Sequence, residues 1–196
     1  LVTVAIIAIL GQLQVDLNAR VLALFLILES LVVLGFDIAG IAKPAEGLTI
    51  EPFLPAALSG GALGAALCFV TASFVGFESA AIYGEECKNP QRTVARATYT
   101  AVIIIGVFYA ASAWATVMAV GKSQIISRSQ ELTAGLLFVY AEQNVGKWFA
   151  DVATVLFVTS LFAALLSFHN SVARYFSSLG REGVLPPMLA KVNAKG

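Results

Sequence analysis

Charge is scarce in this sequence. Only 12% of its 196 residues are Asp, Glu, Lys or Arg, well below the roughly 25% of a soluble globular domain. Twelve basic and twelve acidic residues leave a net charge of zero, so there is no basic stripe to bind nucleic acid. Cysteine is nearly absent. Cys68 lies in an apolar run and Cys87 in a charged stretch, which points to neither a disulfide framework nor a zinc site. The single histidine, His169, has no second His, Cys or carboxylate motif beside it, so no metal constellation is indicated. A nucleophile paired with a base and a glycine-rich phosphate loop are both missing; no catalytic residue, enzyme activity or cofactor is expected. The chain starts Leu1-Val2-Thr3, without a methionine, a basic n-region or a small-residue cleavage site, so no signal peptide is indicated.

What the sequence has is hydrophobicity, at 59% of residues. Three long apolar runs, Val21 to Ala42, Ala57 to Tyr83 and Ala97 to Val120, each reach the roughly 20 residues that carry a helix across about 30 Å of hydrocarbon. A fourth, Trp148 to Val172, has Asp151 near its start and His169 near its end, with the uncharged stretch Val152 to Phe168 between. The Val-, Ile- and Leu-rich runs are too long for strands, which seldom exceed about ten residues. The expected fold class is therefore all-α, a polytopic transmembrane helix bundle, with residues 1–196 as one transmembrane domain fragment. Its spans are about 21–42, 57–83, 97–120 and 148–172, with a partial span over 1–11 that suggests a longer protein cut through a helix.

Pro44, Pro52 and Pro55 mark the segment Lys43 to Ala56 as a loop, and charge marks Gly84 to Arg96 as another. Residues Glu131 to Glu142 read as an amphipathic surface helix. Alternating spans place Arg20, Lys88, Arg92, Arg96, Arg174, Arg181, Lys191 and Lys195 on one side, against Lys43, Lys122, Arg128 and Lys147 on the other. By the positive-inside rule the first side is cytoplasmic. That orientation puts Cys87 at the cytoplasmic face and Cys68 inside the bundle. Trp114 and Trp148 fall near the outer helix ends, as interfacial belt residues do.

The second run holds the most chemistry. Gly60 and Gly64 have the small-xxx-small spacing of close helix packing. Further on, Ala72-Ser73-Phe74-Val75-Gly76-Phe77-Glu78 combines a mid-run glycine with a serine and an acid. A discontinuous helix needs that combination if freed backbone groups are to face a ligand instead of lipid. An interruption between Ser73 and Phe77 is expected.

The string Gly76-Phe77-Glu78, Glu85-Glu86, Lys88-Asn89-Pro90-Gln91-Arg92 resembles the sixth transmembrane helix and following loop of the amino acid-polyamine-organocation permeases. In the tail, Asn170, Arg174, Arg181-Glu182-Gly183 and Leu185-Pro186 look like the end of that family's eighth helix and the loop after it. Together they identify the chain as the end of helix four through helix eight. Ala95 departs from the pattern, since the family usually has proline before the next helix, and a less rigid loop is expected there. The resemblance implies a five-plus-five inverted repeat, leucine-transporter-like, with substrate near the midplane between broken first and sixth helices. Ala72, Ser73, Val75 and Gly76 would be the substrate-binding residues at the break of helix six. Helix C-termini carry partial negative charge, which suits the ammonium group of an amino acid or amine. The partner helix one is not in this chain.

Acids inside the runs normally face the bundle or a water-filled cavity. Glu78 is either a protonatable gate residue or a salt-bridge partner. Glu29 lies near the place where some proton-coupled members carry a lysine; it is either a structural acid or a coupling site. Thr159 and Ser160 have hard oxygens that could ligate sodium, or they bond to neighbouring helices. The function expected is a segment of a secondary active transporter that moves amino acids or related amines by alternating access, as an exchanger or with H+ or Na+ as coupling ion. Its setting is the lipid bilayer of the cell membrane. The alternatives are a channel or receptor-like bundle, which would line one continuous polar stripe, and a membrane-embedded enzyme, which would need a catalytic constellation.

Overall fold

A computed structural model describes residues 15–58, 61, 63–82, 84 and 87–190. The expected partial span over 1–11, together with Gly60, Glu85 and Glu86, lies outside the described residues. Six α-helices occur among the described residues: α1 Val15–Ala42, α2 Leu63–Ser73, α3 Pro90–Val120, α4 Ile125–Leu132, α5 Leu136–Asn144 and α6 Lys147–Arg181. Short 3-10 helices cover Glu51–Phe53, Pro55–Leu58, Phe77–Ala81, Thr133–Gly135 and Pro187–Ala190, and no strand is found among the described residues. The fold is all-α. Among the described residues four stretches are long and apolar enough to cross a membrane: Ala23–Ala42, Leu63–Ala81, Pro90–Val120 and Lys147–Arg181.

Three of these helices outrun their apolar runs, α1 by beginning at Val15 and α3 and α6 by more. At about 1.5 Å per residue, the 31 residues of α3 and the 35 of α6 exceed the roughly 30 Å of hydrocarbon, so their charged ends project beyond it or the helices tilt. Of the segment Gly84 to Arg96, expected as loop, residues 90–96 are the start of α3. Pro90 stands in the first turn, where its fixed φ suits a helix and its missing N–H costs nothing. The Thr93 N–H reaches the Asn89 carbonyl at 2.9 Å. Ala95, expected to loosen a loop, instead sits inside the helix, because alanine continues the turn that proline would interrupt. The surface helix expected over Glu131 to Glu142 is divided differently. α4 ends at Leu132, Thr133 takes φ 48°, and α5 begins at Leu136 with Leu136 and Ala141 buried.

The chain divides into two compact units. In the unit formed by residues 1–30 and 154–196, α6 closes on a Schellman motif. Gly183 adopts φ 74°, and the N–H groups of Val184 and Leu185 reach back to the Leu179 carbonyl at 3.0 and 3.2 Å.

The unit formed by residues 31–153 carries the core: Phe36, Ala119, Ala141, Phe149 and Ala150, with Val32, Tyr140 and Val145 packed on it. α1 and α3 cross closely at Gly40. A Cβ there would lie 2.9 Å from the Ala115 carbonyl oxygen and 2.9 Å from the Ala119 Cβ. Helix α2 has no buried residue, and Cys68, expected inside the bundle, is exposed on it. Within this chain it is the 3-10 turn after α2 that packs against α3.

Beyond Ala42 the connecting segment is strapped to the end of α3. The Ala45 N–H donates to the Met118 carbonyl at 2.9 Å, and the Thr49 N–H points at the Met118 sulfur at 3.4 Å. The indole N–H of Trp114 donates to the Thr49 carbonyl at 2.8 Å, so Trp114 is an anchored residue as well as a helix-end aromatic. Lys122 pairs with Glu51 at 2.8 Å. The Ser123 hydroxyl and its N–H, the latter at 3.1 Å, both donate to the Glu46 carboxylate. These two donors, aided by the Lys122 charge, hold the Glu46 carboxyl below the ordinary glutamate value. The clamp is therefore in force above that ordinary value and is lost as pH falls through the lowered folded one. Glu46→Gln should speed amide exchange at Ser123 and the first turn of α4 at neutral pH, by a modest factor because the site is exposed. Wild-type exchange should approach the variant's only in acid; equal rates at neutral pH would remove the clamp.

Candidate functional site

The most unusual backbone in the apolar spans lies just after α2. The helix stops at Ser73, whose hydroxyl donates to the Val70 carbonyl at 2.7 Å. Tight three-residue turns follow: Phe74 N–H to Thr71 O at 3.2 Å, Val75 N–H to Ala72 O at 3.2 Å and Phe77 N–H to Phe74 O at 3.3 Å. None of these bonds uses the carbonyls of Ser73 and Val75. Gly76 then takes φ 109° and ψ −15°, a left-handed conformation that glycine adopts without steric cost because it has no Cβ. The chain resumes as a 3-10 turn over Phe77–Ala81. The span is thus interrupted between Ser73 and Phe77, at the position the sequence indicates.

Two side chains hold the break. Phe74 lies against α3, its ring 3.7 Å from where a Cβ on Gly106 would be and edge-on to Tyr109 at 5.8 Å between centroids. Glu78 reaches back to accept the Gly76 N–H at 2.9 Å, as an acid in the first turn of a helix does in a capping box. The carboxylate so supplies a partner for a backbone donor that the break would otherwise leave orphaned. Ala72, Ser73, Val75, Gly76 and Glu78 are brought together within this one stretch; Ala72, Ser73, Val75 and Glu78 are exposed in this chain and Gly76 is half-buried.

Glu29, Thr159 and Ser160 belong to the other compact unit. Glu29 is half-buried and its Oε1 is buried without a hydrogen-bond partner. The Thr159 hydroxyl donates to the Leu156 carbonyl at 2.8 Å within its own helix, which leaves oxygen lone pairs but commits the proton. His169 is exposed on α6. No cluster of three His, Cys, Asp or Glu residues suited to a metal ion occurs among the described residues.

A further acid, which the motifs above do not point to, is buried between two helices. Asp37, in α1, is only 6% exposed and accepts the Ser112 hydroxyl of α3 at 2.6 Å. Its other oxygen, Oδ1, is buried with no partner. The signal was present: Asp37 is the second acid of the run Val21 to Ala42, after Glu29.

Compared with known proteins, the family model described as "Amino acid permease" matches residues 1–196, the whole chain. The chain belongs to the amino acid permease family. The family is one of transporters, not enzymes, and with four apolar spanning stretches the chain is part of a multi-pass integral membrane protein. Among its curated relatives, the "Branched-chain amino acid permease BcaP" of Lactococcus lactis subsp. cremoris (strain MG1363) is 28% identical over 186 residues, 90% of this chain and 38% of that protein. "Cationic amino acid transporter 1" of Arabidopsis thaliana is 27% identical over 192 residues, covering 97% of this chain and 31% of the transporter. The "Methylthioribose transporter" of Bacillus subtilis (strain 168) is 26% identical over 164 residues, covering 83% and 33%. The permease chain thus spans under half the length of the curated relatives it matches. No solved structure matches it.

Proposed function

We propose that the full-length protein carrying this chain is a secondary active transporter that moves amino acids or related amines across the cell membrane by alternating access. In this reading residues 1–196 are part of one transmembrane domain of a five-plus-five inverted repeat. The break in the second complete span is half of the substrate site. The observation that carries it is the interruption at residues 74–76, where the Ser73 and Val75 carbonyls take no part in the turn bonds and Gly76 holds φ 109°. Carbonyls at the end of a half-helix lie at its negative pole, which suits a substrate ammonium group. Ala72, Ser73, Val75 and Gly76 are the substrate-contacting residues. Glu78 and Glu29 are gating or proton-coupling candidates, and Thr159 and Ser160 are sodium-ligand candidates.

Two of the relatives are named for branched-chain and cationic amino acids and one for methylthioribose, so the names disagree on the side chain. The half-helix argument concerns the amino group instead. In proteoliposomes holding the full-length protein, saturable uptake of at least one α-amino acid is expected. Free amino acids should compete and their N-acetylated forms should not, because acylation removes the charge that the carbonyls recognise. Uptake competed equally by N-acetylated forms, or by methylthioribose alone, would overturn ammonium recognition at the break.

A further inference from the structure

We infer that Asp37 is an exchangeable proton-binding site, held as a carboxylic acid against Ser112 while the α1–α3 crossing is closed. Its proton leaves when that crossing opens to water. Asp37 as a residue is only 6% exposed. It has one polar contact, the 2.6 Å approach of the Ser112 hydroxyl, and Oδ1 is buried with none. A carboxylate has two oxygens that seek several donors, and a buried one without a cation is strongly disfavoured. The neutral acid asks for less. Its O–H can donate to the Ser112 oxygen, and Oδ1 is then an unpartnered carbonyl, a far milder deficit than an unpartnered charge. Ser112 can turn its own proton towards a carbonyl of the preceding helical turn, as serines within helices do.

Among the described residues, none supplies a counter-charge to Asp37. Three elements pack on this stretch of α1: α3, α5 through Ala141, and α6 through the Phe149 ring beside Gly35. Between Arg96 and Lys122, α3 has no charged residue and its titratable side chains are Tyr99 and Tyr109. Lys147 and Asp151 flank Phe149 on α6, Tyr140 and Glu142 flank Ala141 on α5, and the nearest charged residues along the chain are Glu29 on α1 and Lys43 just beyond its end. None of these bonds to Asp37, whose partner among the described residues is Ser112 alone. The crossing leaves no room for a hydrated cation, since Gly40 already meets Ala115 and Ala119 at contact distance three residues on. A proton is the ligand that fits. Binding is a simple association: water-borne H+ forms an O–H bond on the carboxylate, and release returns the proton to water with the bonding pair left on oxygen.

The site stands on this geometry; its use to drive uptake rests on the transporter reading above. Infrared spectra of the purified full-length protein test the site without any transport. A protonated-carboxyl C=O band is expected at neutral pH, lost in Asp37→Asn, and its absence from the wild type would overturn the inference. Should Asp37→Asn fail to reach the membrane, Ser112→Ala decides: the band should persist but shift, and an unshifted band would mean that it does not come from Asp37. In proteoliposomes with the membrane potential clamped, one coupled proton gives about tenfold accumulation per pH unit. Asp37→Asn should lose that accumulation and keep exchange at equal pH. Accumulation retained in the variant would remove Asp37 from coupling, whereas a wild type that takes up nothing would count against the transporter reading and leave the infrared result standing.

Discussion

Replacing Gly76 with leucine in the full-length protein is expected to abolish uptake while leaving the protein in the membrane. At φ 109° a residue with a Cβ is strained by roughly 1–3 kcal/mol. Space is not the difficulty, because a Cβ on Gly76 would meet nothing within 4 Å. A strain of that size does not undo a bundle, but it is enough to remodel one turn. Leucine favours the right-handed helix, so α2 would extend through the break and draw the Ser73 and Val75 carbonyls into ordinary helical bonds. The Glu78 carboxylate would also lose its hold on the Gly76 N–H. Uptake normalised to surface protein separates the cases, with normal uptake sinking the broken-helix site. Gly76→Asn should keep part of the activity, since asparagine tolerates left-handed φ better than other side chains.

Gly40→Val should act oppositely, on stability first. Here the backbone is unexceptional and the space is gone: the added Cβ would stand 2.9 Å from both the Ala115 carbonyl oxygen and the Ala119 Cβ. One of those neighbours is backbone and the other is already the smallest side chain after glycine, so α1 and α3 have to part. Overpacking of this kind costs about 1–3 kcal/mol, with more expected here because separation also breaks the Ser112–Asp37 contact. Thermal unfolding of the purified protein in detergent should show a clear loss. Gly61→Ala, at a position with open space, serves as control and should melt like the wild type. An unchanged Gly40→Val would mean that the crossing is looser than the structure places it.

The apolar runs and the break were legible in the sequence for local reasons. A run of about 20 apolar residues marks a span whatever surrounds it, and Gly76 between Val75 and Phe77 is a conformational signal carried by one residue. Helix ends were less legible, because hydrophobicity reports the membrane and not the helix. Residues 90–96 and 173–181 carry Arg92, Arg96, Arg174 and Arg181 and are helical all the same. Pairings across the chain were not legible at all. Nothing near Trp114 names Thr49 as its acceptor, 65 residues away, and nothing near Glu46 names Ser123, 77 away. The Asp37 carboxyl was visible as an acid in an apolar run, yet its meaning depends on Ser112 and on an empty second oxygen, and both are properties of packing.

The distance in sequence between Asp37 and Ser112 bears on how the protein is made. The two are 75 residues apart, so on the ribosome α1 is complete well before Ser112 has been polymerised. Asp37 must then enter the bilayer without the hydroxyl that later faces it. An acid at a helix centre costs roughly 2.5–3.5 kcal/mol on insertion, while each Leu, Ile, Phe or Val returns about 0.3–0.6. The neighbours Leu24, Phe25, Leu26, Ile27, Leu28, Leu31, Val32, Val33, Leu34, Phe36 and Ile38 supply that driving force by number. Glu29 adds a second acid to the same helix, so the large apolar residues of α1 roughly balance the two acids and leave no wide margin, and the nascent helix is held only marginally until α3 arrives to dock on it.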